Sequence, residues 1–581
     1  MSWELNLPAH RLDYPCESEL RIRNRAGTHS PFLFIASIIF RRALGSLRAF
    51  GNAFTVHHGA GQHLGVTCGW SYGNDLTGSY TGTANKPLFN PVAGQPNSTW
   101  DDWADQLGSS GVDFVCPNLR GSWPNTAQNP TNIAPLLKAL SNRGLTNLIK
   151  LAIFDDNAAS WTAQWNQANG RGFGYAQPFD VSQQTNWVYL WDYNYKLFYQ
   201  TVPDPNRFKI NGRPVIIIWS GNTYFVGNMQ GNASRAILYV RQQCRNTFGF
   251  NPFIILSGDF LSNDSTCNDP AVTDGLHNWF AHGSSGYTQT TFNGVKIGAL
   301  CAQFQTPSFG IGWIDPQHGQ TLASNLMSTR GSGALLTLAE GFTDWEESAA
   351  LFRVNNSDTD GSALTYAQTY YDYPNQRLNL LRQYGNHADP CELKFEAEAC
   401  DYFGGANGGN GLSNYYRNGN LALEVAGDAG GGYDVGWITA GEWMEWEQVP
   451  IQGTNVHLLV RVASPNDDSS LHFVIDEVTY PSLIVPNTGN WQVYTTIESG
   501  TTYVFSKNSP KSLRFTDSHH VTPLLRTDFR PLSEPLPRNQ SPTAFRSAPR
   551  PPFHPSALSE SFAFSLQSRR PSKGTRSAHR C

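Results

Sequence analysis

Charge and long apolar runs are both scarce in this sequence. Of its 581 residues only 15% are charged, and the net charge is −5. That composition gives no general reason to expect nucleic acid or an anionic membrane as partner. No apolar run reaches the length needed to cross a bilayer. PFLFIASIIF, Pro31 to Phe40, has the length of a signal-peptide core, yet it lies far from Met1 and runs into Arg41 and Arg42 rather than a small-residue cleavage site. The 9 cysteines include no CxxC and no zinc-like spacing, which favours a few disulfides over a thiolate metal site. Cys244 with Cys267, and Cys391 with Cys400, are the candidate pairs. A Ser-His-Asp pattern and a phosphate-cradling glycine loop are also missing.

Aromatic residues and glycine are abundant, with 13% aromatics, 17 Trp and 53 Gly. This is the balance of a packed, loop-rich globular chain, and flat apolar rings suit the stacking of sugars. Within the region read below as folded, four N-x-S/T acceptors, at Asn97, Asn232, Asn263 and Asn355, fit secretion. The first fifty residues are read as an N-terminal extension that obscures a signal sequence, and the protein as an extracellular monomer.

From about Leu64 to Phe342 the chain offers eight strand-like runs, among them GVDFVCPNLRG, NLIKLAIFDD, RPVIIIWSG, PFIILSGDF and ALLTLAEGF. Most are apolar throughout, the mark of strands buried on both faces. Amphipathic stretches such as STWDDWADQLGSSG and SRAILYVRQQCRN separate them as helices. The expected fold over residues 51–389 is therefore α/β, a (β/α)₈ TIM-type barrel. At Cys391 the chain turns Gly-rich with short alternating runs, and residues 391–517 read as an all-β sandwich of jelly-roll type. Residues 518–581, rich in Pro, Ser and Arg, read as a disordered tail.

In such a barrel the C-terminal strand ends face the active site. The residues there are Trp70, Tyr72, Asn118, Arg120, Asp155, Asp156, Trp219, Asp259, His277, Trp279, Gln303, Gln305 and the Glu340–Glu347 cluster around Trp345. Carboxylates beside tryptophans are what glycoside hydrolysis needs: an acid for the departing oxygen, a carboxylate to support attack, and rings to hold the sugar. Asp155, Asp156, Trp219, Asp259, His277, Trp279 and Trp345 are the candidate sugar contacts. The plainer readings are turns or caps for the aspartates and a satisfied core position for His277. GFTDWEES itself matches a helix capping box twice, as Asp344 with Glu347 and as Thr343 with Glu346.

GFTDWEES resembles the FNEWxEG-type signature that closes the barrel of glycoside hydrolase family 99 and related family 71 barrels. The order of elements from Gly65 to Asn386 also resembles a domain of unknown function, 5010. The resemblance implies that the catalytic carboxylates fall on Asp344 and Glu347, without a catalytic cofactor, and that the substrate is an α-linked glucan or mannan. Asp344, Thr343 and Ser348 stand where the signature has Glu, Asn and Gly. The shorter Asp344 leaves a water-mediated inverting route open beside the retaining one, and the Asp344 and Ser348 departures keep a non-catalytic carbohydrate-binding protein as the alternative. FEAEAC, GYDVGWITAGEWMEWEQV and GNWQVY resemble the motifs of carbohydrate-binding module families 6 and 35. That resemblance implies sugar held between Trp437 and Trp491 and a structural calcium on Glu396 and Glu398. Trp443 and Trp446 are assigned to the sandwich core by alternation, and the module's last strand is not found in SLRFTDSHHV.

Overall fold

The computed structural model describes residues 62–68, 85–89, 99–119, 130–156, 179–219, 225–227, 230–279, 285–305, 314–345, 347–355, 370–384, 393–405, 411–412, 416–417, 419–428, 431–450, 455–500, 503–504, 510–519 and 526–531. The N-terminal extension, Trp70, Tyr72, Arg120, Glu346, Cys391 and the chain beyond Pro531 lie outside these residues.

All eight apolar runs contain strand. In chain order they give β1 (His63–Cys68), β2 (Phe114–Pro117), β3 (Lys150–Leu151) and β4 (Ile153–Asp156) from one run, β5 (Arg213–Trp219), β6 (Phe253–Ser257) and β7 (Gly275–His277). A hairpin strand β8 (Tyr287–Phe292) then leads into β9 (Val295–Leu300), and β10 (Leu336–Ala339) closes the series. One sheet runs β8-β9-β10-β1-β2-β3 and a second runs β7-β6-β5-β4. Every pair in these two paths is parallel except the β8–β9 hairpin. An Asn118–Phe154 parallel bridge joins the sheets.

Helices α1 (Thr99–Ser110), α2 (Ala134–Asn142), α3 (Gln184–Leu190), α4 (Asn232–Phe248) and α5 (Gln320–Ser332) fall between the strands, with α6 (Gln376–Tyr384) after them. α3 continues through a π-helical turn, Trp191–Tyr195, into Lys196–Thr201.

The apolar-throughout pattern has its explanation in two cores. Ile216, Ile218, Ile254 and Leu256 face the helices, packed with Trp103, Tyr195 and Ile237. Their neighbours Val215, Ile217, Phe253 and Ile255 face the other way, with Phe114, Phe154, Ile297 and Leu338. Strands of both sheets share that second core. Gly65 is required there: a Cβ would stand 2.1 Å from the Phe114 ring, which stacks on Phe208 at 3.9 Å between centroids.

The C-terminal region is a sandwich of two antiparallel sheets. One orders β11 (Leu393–Glu396), β20 (Arg526–Pro531), β16 (Asn455–Val462) and β18 (Thr495–Glu498). The other orders β12 (Tyr402–Gly404), β15 (Trp443–Val449), β19 (Lys511–His519) and β17 (Ser470–Ile475), while β13 (Leu423–Val425) and β14 (Tyr433–Val435) form a separate ribbon. Met444, Trp446, Leu458, Val460, Phe473 and Phe515 fill the space between.

Three expectations are corrected here. The stretch assigned to a disordered tail supplies β20, a strand paired on both edges with β11 and β16. Trp443 does not join Trp446 in the core, because residues three apart on a strand face opposite ways; its ring lies under Arg514, 4.5 Å from the guanidinium carbon. Cys244 and Cys267 are buried free thiols, not a disulfide, packed as small apolar side chains.

The two regions meet through a buried polar network. Arg353 Nη1 lies 3.5 Å from Asp102 and donates to Tyr416 Oη at 2.8 Å, and its Nε donates to Asn375 at 2.7 Å. Tyr416 donates to Asp102 at 2.6 Å. Asn375 N–H and Nδ2 donate to Asp401 at 2.8 and 2.7 Å, and Glu447 N–H donates to its other oxygen at 2.8 Å. Leu88 and Phe89, from before α1, sit in the sandwich core, with Phe89 edge-on to Tyr416 at 5.3 Å.

Candidate active site

β10 ends at Ala339, and Glu340 is the next residue, where the apolar run stops. Its amide donates to Leu300 O on β9 at 2.8 Å. Gly341 follows with φ of 82°, and a Cβ there would meet Ala349 at 2.9 Å, so only glycine turns the chain at this point. Gly341 N–H donates to Thr67 Oγ1 on β1 at 2.7 Å.

The capping pattern in GFTDWEES is half realised. Asp344 Oδ1 accepts from Glu347 N–H at 3.0 Å, the bond an N-cap makes. No helix follows. Ala349 N–H returns to Asp344 O at 3.0 Å and Leu351 N–H to Gly341 O at 3.2 Å, which closes a compact loop. Gln305 N–H donates to Glu347 O at 3.0 Å and Gln303 Nε2 to Ser348 O at 2.5 Å, binding the loop to the segment after β9.

The loop brings Glu340, Asp344 and Glu347 together, one carboxylate oxygen of each within 4.8 Å of the other two. Glu340 and Asp344 are buried and Glu347 is half-buried. Burial above all, then the charges of Glu347 and Asp344, hold Glu340 well above the ordinary carboxylate range, against hydrogen bonding from Trp279 and Cys301. Glu340 stood among the strand-end residues of the sequence but was not paired with Asp344 and Glu347. A glutamate directly ending an apolar strand run and followed by glycine was its signal.

The other sugar-contact candidates occupy neighbouring strand ends. Asp155, on β4, is fully buried and accepts from Tyr195 at 2.5 Å; Tyr195 reaches it from the π-helical turn, a feature often found at functional sites. Asp156 is the last residue of β4. Trp219 and Trp279 both pack against the inner core. Asp259 accepts from Ser257 Oγ on the short helix after β6. His277 is buried beside Phe154 and Trp279, 6.4 and 6.0 Å between centroids, and burial lowers its pKa to about 4. The imidazole is therefore neutral at physiological pH. Trp345 lies half-buried against the helix-side core.

In the sandwich, Trp437 and Trp491 are 39% and 38% exposed, the posture of rings able to stack on a ligand. Nearby, Tyr494 donates to Asp434 at 3.2 Å and to Gln492 at 2.5 Å, and Gln492 accepts from Gly427 N–H. Burial, followed by the Glu424 charge, raises Asp434 to about 8. Glu396 lies 3.6 Å from Lys394 and 4.0 Å from Arg143. Glu398 is buried and held well above its usual range by desolvation and by Glu396. No helix among the described residues is long and apolar enough to cross a membrane.

The family described as Domain of unknown function (DUF5010) matches residues 60–402, and the one described as Carbohydrate binding module (family 35) matches residues 417–516. A carbohydrate-binding module thus forms the C-terminal sandwich, and its match begins after Glu396 and Glu398. Among solved structures, the chain is similar to the C-terminal family 6 carbohydrate-binding module of LamC, a marine laminarinase from Zobellia galactanivorans: 23% identity over 24% of this chain and 99% of that one, TM-score 0.20. It is also similar to a family 6 module from Cellvibrio mixtus lichenase 5A in complex with cellotriose, at 26% identity over 24% and 95% of the two chains, TM-score 0.19. A family 35 module from Clostridium thermocellum is 16% identical over 24% and 96%, TM-score 0.19.

Proposed function

This chain belongs to the DUF5010 family, and from that premise we propose that it is a secreted glycoside hydrolase whose module holds it on a polysaccharide. The catalytic domain is read as a closed (β/α)₈ barrel. Support for closure comes from the approach of β7 to β9, where Ile297 Cδ1 lies 2.8 Å from the place a Cβ on Gly275 would take. The single observation that carries the hydrolase reading is the convergence of carboxylates at the end of β10. Asp344 and Glu347 are the catalytic pair, and the likeness of GFTDWEES to the family 99 signature favours an α-linked glucan or mannan.

The separation bears on mechanism. Inverting glycosidases keep their two carboxyl groups roughly 6.5–9.5 Å apart to admit water, whereas retaining enzymes keep them about 5 Å apart. Oxygens within 4.8 Å of one another therefore favour the retaining route. Asp344 accepts the Glu347 N–H, which favours its ionised form, and it attacks the anomeric carbon. Glu347, the more exposed of the two, gives its proton to the departing oxygen as the glycosidic bond breaks. It then takes a proton from the water that releases the sugar from Asp344. Trp279 and Trp345 border the cluster as sugar platforms. A calcium on Glu396 and Glu398 is part of the same reading for the module, and neither residue makes a step of the reaction.

The test is reducing-sugar release by the full chain from a panel of α- and β-glucans and mannans, beside Asp344→Asn and Glu347→Gln. Release that disappears in both variants supports the reading. Release that survives both refutes the site. Glycan binding with no release by folded protein would leave a carbohydrate-binding protein in place of the enzyme.

A further inference from the structure

We propose that Glu340, Asp344 and Glu347 together bind one divalent cation of calcium size. One oxygen from each stands within 4.8 Å of the other two. Calcium takes oxygen ligands at roughly 2.3–2.6 Å, so two ligand oxygens on a single ion stand at most about 5 Å apart. The three oxygens can therefore all touch one ion with little rearrangement.

A second observation points the same way. Glu340 Oε2 is sealed from solvent and no group among the described residues donates to it, on a side chain that is only 7% exposed. A bare carboxylate oxygen in such a place is costly, and an ion among the three carboxylates satisfies it. The donors the cluster offers are carboxylate oxygens. Hard oxygen donors of this kind select calcium or magnesium rather than zinc or copper.

The frame is fixed before any ion arrives. Glu340 is pinned through Leu300 O, Gly341 through Thr67, and Asp344 to Glu347 by their 3.0 Å bond. Such a cage suits an ion that tolerates irregular coordination. Magnesium demands near-octahedral geometry at about 2.0–2.1 Å and keeps most of its waters, so calcium is favoured.

The ion would occupy Asp344 and Glu347, the pair assigned to catalysis above, so calcium and the retaining route are alternative uses of the same carboxylates; the metal alone is the probe, and its uptake is read without any glycan. Full-length protein, stripped with EDTA and desalted, is titrated with calcium chloride and separately with magnesium chloride by isothermal titration calorimetry. Glu340→Gln and Glu347→Gln are titrated in parallel. Wild type is expected to take up one more calcium per chain than either variant, or to bind it more tightly than both by a factor exceeding the roughly tenfold that loss of an outer-shell partner costs. A calcium held by the module would persist in both variants and so cancel in the comparison. Glu347 is half-buried, so its glutamine variant keeps the experiment decisive even where Glu340→Gln unfolds. Equal stoichiometry and affinity in wild type and Glu347→Gln would overturn the proposal.

Discussion

Asp102, Asp105 and Asp401 at the joint between the two regions, and Glu340, Asp344 and Glu347 at the end of β10, are both clusters of buried and half-buried acids, held there by different means. At the joint the acids face Arg353 and Arg143, the latter 3.1 Å from Asp105, and take hydrogen bonds from Tyr416, Asn375 and a backbone amide. At the strand end, Glu340 faces two more carboxylates, with only an indole and a thiol drawing the other way. A buried charge that is paired on every side holds a fold together. One left among its own kind raises the energy of the empty site, and that energy is available to a ligand. The same residue types thus mark a structural element in one place and a chemical one in the other.

The largest expected effect would break this contrast outright. Asp344→Asn and Glu347→Gln should each lower glycan release by about 10²–10⁴-fold, the usual worth of a positioned acid or base, with the urea midpoint unchanged or higher. If either variant instead unfolds the protein while a folded fraction keeps full activity, the strand-end cluster belongs with the joint. Arg353→Ala should do the reverse, costing roughly 3–5 kcal/mol of stability because Asp102 is left buried with its ion partner gone. Urea denaturation followed by Trp fluorescence reads it.

A finer test uses pH. Burial raises Asp401 from 3.8 to about 6 in the folded protein. The folded state then binds a proton that the unfolded chain has already released between pH about 4 and 6. Stability is fullest below that window and declines as pH rises through it, by up to about 3 kcal/mol for a two-unit shift. Asp401→Asn should flatten that slope in thermal melts taken across the window, and an unchanged slope would assign it to another group. The smallest effect concerns the module. Trp437→Ala and Trp491→Ala should each weaken polysaccharide retention by roughly 1–3 kcal/mol, the worth of burying one large apolar side chain. Affinity electrophoresis in glycan-containing gels measures this, and unaltered mobility of both variants would move the sugar site elsewhere.

The eight apolar runs of the first region were legible as strand because burial on both faces writes itself as continuous apolar sequence. β8 was not: YTQTTF is mostly half-exposed, and it is a strand because it hairpins onto β9. β20 was read as disorder because RTDFRP carries an Arg and Pro composition, and only its partners β11 and β16 make it a strand. Asp344 and Glu347 could be picked out as a motif. Glu340 could not be joined to them, since its proximity depends on how Gly341 turns the chain back on Ala349. Trp443 and Trp446 are three residues apart on β15, an odd separation that puts their rings on opposite faces.

Leu88 and Phe89 reach from the first region into the core of the second, and this has a consequence for inheritance. Carbohydrate-binding modules are pictured as parts that can be cut and joined. A recombination event breaking this chain between Tyr384 and Leu393 would deliver a sandwich with a gap where Leu88 and Phe89 belong. Its other product would be an α/β domain showing water the unpaired side of Arg353 and Asn375. Each half alone would be a poorer protein than the two together, so separation of the pair carries a cost that both products bear.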